Sequence, residues 1–129
     1  MTAQDIREAI DTAFARSEWV KCDQTLPCGY DLQGWQHRGL VVDYWPPEAV
    51  HTGRDPARPW VVLHRESGKS LDCDFATERE ARLFAFRAAD LLDWSMDEDD
   101  LAKLVEPLKV LLAALYVDPY TQIPGVPWA

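Results

Sequence analysis

The feature that most constrains the fold is a pair of apolar runs in residues 60–75, separated by Glu66-Ser67-Gly68-Lys69. A short break with Ser and Gly between two such runs predicts a tight β-hairpin. Side chains alternate along a strand, so the hairpin has two faces. With its tip at Ser67-Gly68, we expect a core face with three facing pairs: Trp60 with Phe75, Val62 with Cys73, and His64 with Leu71. A second, wetter face would hold Val61 with Asp74 and Leu63 with Asp72.

Two helix-start patterns follow the hairpin. Thr77 with Glu80 three residues later is a capping box and predicts a helix over residues 78–94. Phe86 and Trp94 lie off its main apolar stripe, so this helix is either sandwiched or offers a partner site. A second box, at residues 95–98, predicts another amphipathic helix. Pro107 lies inside it, so we expect a kink or break near Glu106 and a restart at Pro107.

The rest of the chain supplies shorter elements. Apolar spacing predicts a helix over residues 4–16 and strands at 19–22 and 39–45, with loops at 23–34 and 46–59. The order of elements predicts an α+β fold: an N-terminal helix, an antiparallel sheet of three or four strands, and two or three C-terminal helices packed on one face. We expect a single domain over 1–129, in which residues 118–129 form a proline-containing, non-helical tail.

Charge and composition narrow the function. The net charge is -9, and residues 72–106 alone carry eleven acidic and four basic side chains. An acidic chain argues against direct binding to nucleic acid and against docking on anionic membranes. The polar first residues and three cysteines favour a cytoplasmic protein with reduced thiols.

No catalytic motif stands out. Cys22 and Cys28 are too far apart for a typical zinc pair, and Gly29 and Gly34 do not form a phosphate-binding loop. His64 and Cys73 are possible diagonal neighbours on the hairpin, although packing explains them better than a catalytic pair. We therefore expect no catalytic residue, no metal and no cofactor.

Three function classes remain open. The first is a non-enzymatic acidic interaction module, an inhibitor or neutraliser of a basic or nucleic-acid-handling protein, such as a phosphate mimic or an immunity protein. The alternatives are an acidic dimeric secretion or assembly chaperone, with the amphipathic helix over residues 98–116 as its dimer interface, and a small Cys/His metal-binding or enzymatic domain. The chain would act as a monomer or homodimer. The candidate partner-binding residues are Asp90, Asp93, Asp97, Glu98, Asp99, Asp100, Phe86, Trp94, Trp45, His51, Arg54 and Arg58.

Overall fold

A computed structural model describes residues 2–26, 29, 31–45 and 55–123, apart from the side chain of Glu98. The elements are α1 (Ala3–Ala15), β1 (Val20–Lys21), β2 (Gln24–Thr25), β3 (Asp31–Leu32), β4 (Trp35–His37), β5 (Leu40–Tyr44), β6 (Trp60–His64), β7 (Ser70–Phe75), α2 (Glu78–Ala88), α3 (Glu98–Val105), a 3-10 turn (Glu106–Leu108) and α4 (Lys109–Val117).

The sheet confirms the predicted α+β fold and enlarges it. Five antiparallel strands run in the order β1-β4-β5-β6-β7, and β2 and β3 form a separate two-stranded sheet. Strand β4 was not predicted. It turns into β5 through Arg38 and Gly39, which have φ angles of 49° and 88°. Two consecutive positive φ angles are the mark of a tight type I′ hairpin turn, and Arg is an unusual residue at its first position.

Both faces of the sheet are covered. On one face, Val62, Phe75 and their neighbours pack against α2, α3 and α4. On the other face, Val61 and Leu63 are buried in a cluster with Leu32 and other residues around the β2–β3 sheet. The prediction of a wetter second face was therefore wrong, because Cys22, Leu26 and Leu32 pack against Val61 and Leu63.

The hairpin register is right at its open end and wrong near its turn. Trp60 pairs with Phe75 and Val61 with Asp74, as predicted, but Leu63 pairs with Ser70. The predicted pairs of Leu63 with Asp72 and of His64 with Leu71 do not form. The difference is a β-bulge in β7, where Asp72 adopts a φ of 59°. A bulge adds unpaired residues to one strand and re-aims their side chains.

Helix α1 begins as the sequence suggests and covers α2. The Thr2 side chain accepts a hydrogen bond from the Asp5 backbone N–H, and Asp5 bonds back to Thr2. Phe14 of α1 meets Phe86 of α2 edge to face, with ring centroids 5.6 Å apart. Phe86 is thereby buried, so α2 is sandwiched between the sheet and α1. Phe86 is not an exposed partner-binding spot.

Helix α2 ends at Ala88, six residues before the predicted end at Trp94. The indole N–H of Trp94 donates to the Ala88 carbonyl at 2.9 Å, satisfying a carbonyl that the helix end leaves open. Trp94 is 1% exposed, so it too is a core residue and not a contact for a partner. The apolar side chains in residues 91–94 belong to a segment that packs back against the end of α2, and they do not form a continuation of the helix.

The C-terminal helices follow the predicted break. Helix α3 ends at Val105, a 3-10 turn holds Pro107, and α4 begins at Lys109. The cap of α3 is Asp97, whose side chain accepts from the Asp100 backbone N–H at 3.2 Å, whereas the sequence pattern pointed to Ser95. Within the described residues, every helix is too short or too polar to cross a bilayer.

Candidate functional site

An apolar groove of about 480 Å³ lies between β7 and the helices α3 and α4, and we call it the β7 groove. This volume falls within the range typical of small-molecule sites, about 300–1,000 Å³. Its walls are mostly aliphatic, with a few polar groups near the rim, which is the composition typical of a ligand pocket. The apolar residues that line it are Leu71, Leu101, Ala102, Val105, Leu112, Ala113 and Tyr116.

The bulge in β7 forms one wall of the groove. Leu71, Asp72 and Cys73 are the residues between the two regular parts of the β6–β7 ladder, and all three line the groove. The Asp72 backbone N–H donates to Ser70 Oγ at 3.0 Å, which fixes the bulged conformation. Positive φ at a non-glycine residue costs energy, and such strain clusters at functional sites. The bulge therefore marks this wall as a candidate for ligand contact.

The helix break forms the opposite rim. Because the chain passes through the 3-10 turn at Pro107, Glu106 and Lys109 both line the groove. Lys109 Nζ lies 2.7 Å from Glu106 Oε2. The hydrogen bond to Glu106 raises the pKa of Lys109, and the charge of Asp72 adds to the effect. Lys69 lines the groove from the hairpin side, so two ammonium groups and two carboxylates surround an apolar floor.

Tyr116 gives the groove a rigid end. Its hydroxyl donates to the Asp74 carbonyl at 2.7 Å and accepts from the Arg58 guanidinium at 3.0 Å. Its ring packs edge to face on Phe75, with centroids 5.1 Å apart. Arg58, predicted as a partner contact, thus helps to hold a wall of the groove.

Cys73 lines the groove without the properties of a nucleophile. Burial raises the pKa of its thiol to about 11, and the charges of Asp72 and Asp74 add to the rise. The thiol contacts the Leu71 carbonyl at 3.5 Å. A thiol with a raised pKa is almost entirely protonated near neutral pH, and the thiolate is the reactive form. This environment argues against cysteine catalysis here.

His64 is fully buried and bonded elsewhere. Its Nδ1 lies 2.8 Å from Ser67 Oγ and its Nε2 lies 3.0 Å from the Trp94 carbonyl. Both ring nitrogens are therefore used to fasten the hairpin turn to the segment after α2, and the proposed diagonal pairing of His64 with Cys73 is not what the structure shows. Among the described residues, no three His, Cys, Asp or Glu side chains group as metal ligands do, and Cys28 lies outside those residues.

The remaining predicted partner residues are spread over the molecule. Asp90 pairs with Arg38 at 2.6 Å, and Asp93 accepts from the Ser95 backbone N–H and hydroxyl, which lowers its pKa. Asp97 caps α3, and Asp99 and Asp100 are exposed on its first turn. His51, Arg54 and the Glu98 side chain lie outside the described residues. None of these described residues lines the β7 groove.

A second, more open cleft of about 550 Å³ lies near the end of β5. Trp35, Tyr44 and Trp60 line it together with the buried carboxyl of Asp43. Trp45, another predicted contact, donates its indole N–H to Asp43 Oδ2 at 3.0 Å. Burial raises the pKa of Asp43 in spite of that bond. Among the charged side chains that line this cleft, three are carboxylates and one is a lysine. This excess of negative charge disfavours an anionic ligand there.

Comparison with known proteins gives a distant likeness to one kind of enzyme. The chain is 26% identical over 126 residues to the thymidylate kinases of Bordetella pertussis, Bordetella parapertussis and Bordetella bronchiseptica. The match covers 87% of this chain and 59% of each relative, so the chain spans less than two thirds of their length. No family model matches the chain, and no solved structure matches it either.

This likeness overturns the predicted function. It points to a nucleotide-kinase-like enzyme, so the prediction of a non-enzymatic inhibitor or neutraliser is wrong. The acidic net charge is a property of the surface and does not by itself indicate an inhibitor. Of the three classes left open by the sequence, the likeness favours an enzyme, although not the Cys/His chemistry by which that class was argued.

The sequence contains no complete phosphate-binding loop of the P-loop type. Such a loop reads GxxxxGK[ST] and joins a strand to a helix. Gly68-Lys69-Ser70 matches its last three positions, but Leu63 stands where the first glycine belongs. The tripeptide also closes the β6–β7 hairpin, because the Gly68 N–H donates to the His64 carbonyl and the His64 N–H donates to the Lys69 carbonyl, each at 2.8 Å.

Proposed function

We propose that this chain binds a thymidine nucleotide as the nucleotide-binding part of a nucleotide-kinase-like enzyme. The observation that carries the proposal is the likeness to thymidylate kinases over 87% of the chain. A thymidylate kinase acts on thymidylate, so dTMP is the ligand to test first. The proposal concerns the acceptor nucleotide, because the sequence contains no GxxxxGK[ST] loop to hold the phosphates of a donor.

The structure offers a cavity of suitable size and chemistry for such a ligand. A nucleoside monophosphate has an apolar-faced base and an anionic phosphate, and it needs an apolar pocket with cations at one end. The β7 groove has an aliphatic floor, and Lys69 and Lys109 lie at its rim beside the carboxylates of Asp72 and Glu106. The net charge of -9 does not prevent binding, since charges beyond about 8 Å are largely screened at physiological ionic strength.

The test is ligand-dependent stabilisation of the full chain. A ligand that binds only the folded state stabilises it by about 2.7 kcal/mol at a concentration of 100 times Kd. For a chain of 129 residues this is a rise in Tm of about 10 °C. We expect dTMP to raise the Tm in proportion to the logarithm of its concentration above Kd and inorganic phosphate at the same ionic strength to leave it nearly unchanged.

The enzyme part of the proposal has its own measurement. The chain is incubated with ATP, magnesium and dTMP, and dTDP is measured by chromatography, alone and with added fragments that carry a P-loop. Production of dTDP in either case supports an enzymatic role. A Tm that does not respond to millimolar dTMP, in protein with the circular dichroism of an α+β fold, contradicts the proposal.

A further inference from the structure

We infer that the thymidine nucleotide binds in the β7 groove, with its base against the aliphatic floor and its phosphate at Lys109 and Lys69. This inference rests on the proposed function and adds the site, which the likeness to thymidylate kinases does not assign. It stands on three independent features of the groove: its apolar floor, the charged rim and the bulge that shapes the wall between them.

The floor suits a flat, weakly polar ring. Leu71 lies on the strand side, and Val105 and Leu112 lie on the helix side, so a base inserted between them contacts aliphatic carbon on both faces. Leu112 is 8% exposed, so it belongs to the core and cannot easily move away. The Tyr116 ring closes one end and is held by two hydrogen bonds. A ligand thus meets preformed surfaces, which lowers the entropic cost of binding.

The rim suits a phosphate. Lys109 is fixed beside Glu106 at 2.7 Å, and both side chains are exposed to about two thirds. A doubly charged phosphate competes well with one exposed carboxylate for an ammonium group, because exposed ion pairs are weak. Lys69 directly precedes β7 and also lines the groove. The two lysines therefore come from different elements, and either can contribute a positive charge to the bound phosphate.

Two other hollows among the described residues suit a nucleotide less well. The cleft at the end of β5 carries three carboxylates, which repel a phosphate. The hollow beside α2 holds Arg38 and Arg65 with three acidic residues, Glu66, Asp90 and Asp93. Of these three places, only the β7 groove is lined by as many basic as acidic side chains, and it has the most apolar floor.

The test fills the groove from positions that tolerate change. Ala113 lies on α4 and Ala102 on α3; both are exposed and both line the groove. Ala113→Phe and, as a second variant, Ala102→Phe place a ring where the base would lie. Val110→Phe is the matched control, since Val110 is 80% exposed on α4 and does not line the groove. Binding of dTMP is measured by titration calorimetry, and folding by circular dichroism.

The inference predicts that both alanine variants raise the Kd for dTMP about tenfold or more and that Val110→Phe changes it less than twofold. Lys109→Ala should weaken dTMP up to about fivefold and leave thymidine unaffected, since an exposed ion pair is worth up to about 1 kcal/mol and 1.4 kcal/mol is tenfold. Lys103→Ala is its control, because Lys103 lies on α3 away from the groove.

The possible failures are distinct. If wild-type protein binds dTMP and the filled variants bind it equally well, the groove is not the site and the proposed function stands. If the filled variants lose dTMP but Lys109→Ala does not, the phosphate part of the inference is overturned. If folded wild-type protein does not bind dTMP at all, the proposed function fails, and the inference falls with it.

Discussion

Removing the buried guanidinium of Arg87 should release the segment after α4 from the core. Arg87 is 1% exposed at the end of α2. It donates from one terminal nitrogen to the Pro119 carbonyl and from the other to the Thr121 carbonyl, the second at 2.7 Å. One side chain therefore holds two carbonyls of a segment that has no regular secondary structure. Burial lowers the pKa of Arg87, which shows that its charge is costly to keep inside.

The size of the effect follows from opposing contributions. Arg87→Met keeps the aliphatic volume but leaves two carbonyls without a donor, at about 1–3 kcal/mol each. It also removes the desolvation cost of a buried charge, which offsets part of that loss. We expect a net loss of about 2–4 kcal/mol in the free energy of unfolding. For 129 residues this lowers the Tm by about 7–15 °C.

The assay is urea unfolding followed by tryptophan fluorescence, with Arg16→Met as the control. Arg16 is exposed at the C-terminal cap of α1, so its loss should cost less than 0.5 kcal/mol. Arg87→Lys should be intermediate, because one ammonium replaces the two forked donors of a guanidinium. If Arg87→Met unfolds at the same urea concentration as wild type, the two hydrogen bonds do not stabilise the fold and the reasoning is refuted.

Three further perturbations test other parts of the structure. Cys73, with its thiol pKa raised to about 11, should react with iodoacetamide at pH 8 at least about a hundred times more slowly than a thiol of unshifted pKa, as peptide mapping would show; rapid labelling would contradict the buried environment. Gly34→Ala should destabilise the fold by more than about 3 kcal/mol, since a Cβ there would overlap the carbonyl oxygen of Val42, and a variant with wild-type urea midpoint would show that β4 can shift. Because burial raises the pKa of Asp43 in the folded state, that state binds the proton more tightly than the unfolded one, and stability falls as the pH rises from the ordinary value of 3.8 to the raised one. Asp43→Asn should flatten this part of the pH profile, and an unchanged profile would assign it to another group.

Local sequence patterns predicted the elements correctly where interactions between residues close in sequence determine the helix ends. Thr2 and Thr77 cap their helices as expected, because a cap depends on residues three positions apart. Pro107 broke the last helix because no packing can supply the hydrogen bond that proline lacks. Fold class followed from the order of such elements along the chain.

The wrong predictions concern contacts that apolar spacing along the chain does not reveal. Trp94 ends α2 by folding back onto Ala88, which apolar spacing cannot distinguish from a longer helix. Val61 and Leu63 were predicted to lie on a partly solvent-exposed face. They are buried by residues around β2 and β3, and these two-residue strands are too short to show a periodic apolar pattern in the sequence. Phe86 looked exposed for the same reason, since α1 covers it from seventy residues away in sequence.

The candidate site was missed because it arises from two irregularities that were predicted separately or not at all. The break at Pro107 was expected, but only as the end of a helix. The bulge at Asp72 was not expected, and it moves Leu71 and Cys73 out of the regular ladder. Only together do they leave an open groove between an edge strand and a broken helix. An ideal hairpin packed on one straight helix would place Lys69 and Lys109 differently, so the groove depends on both departures from regular structure.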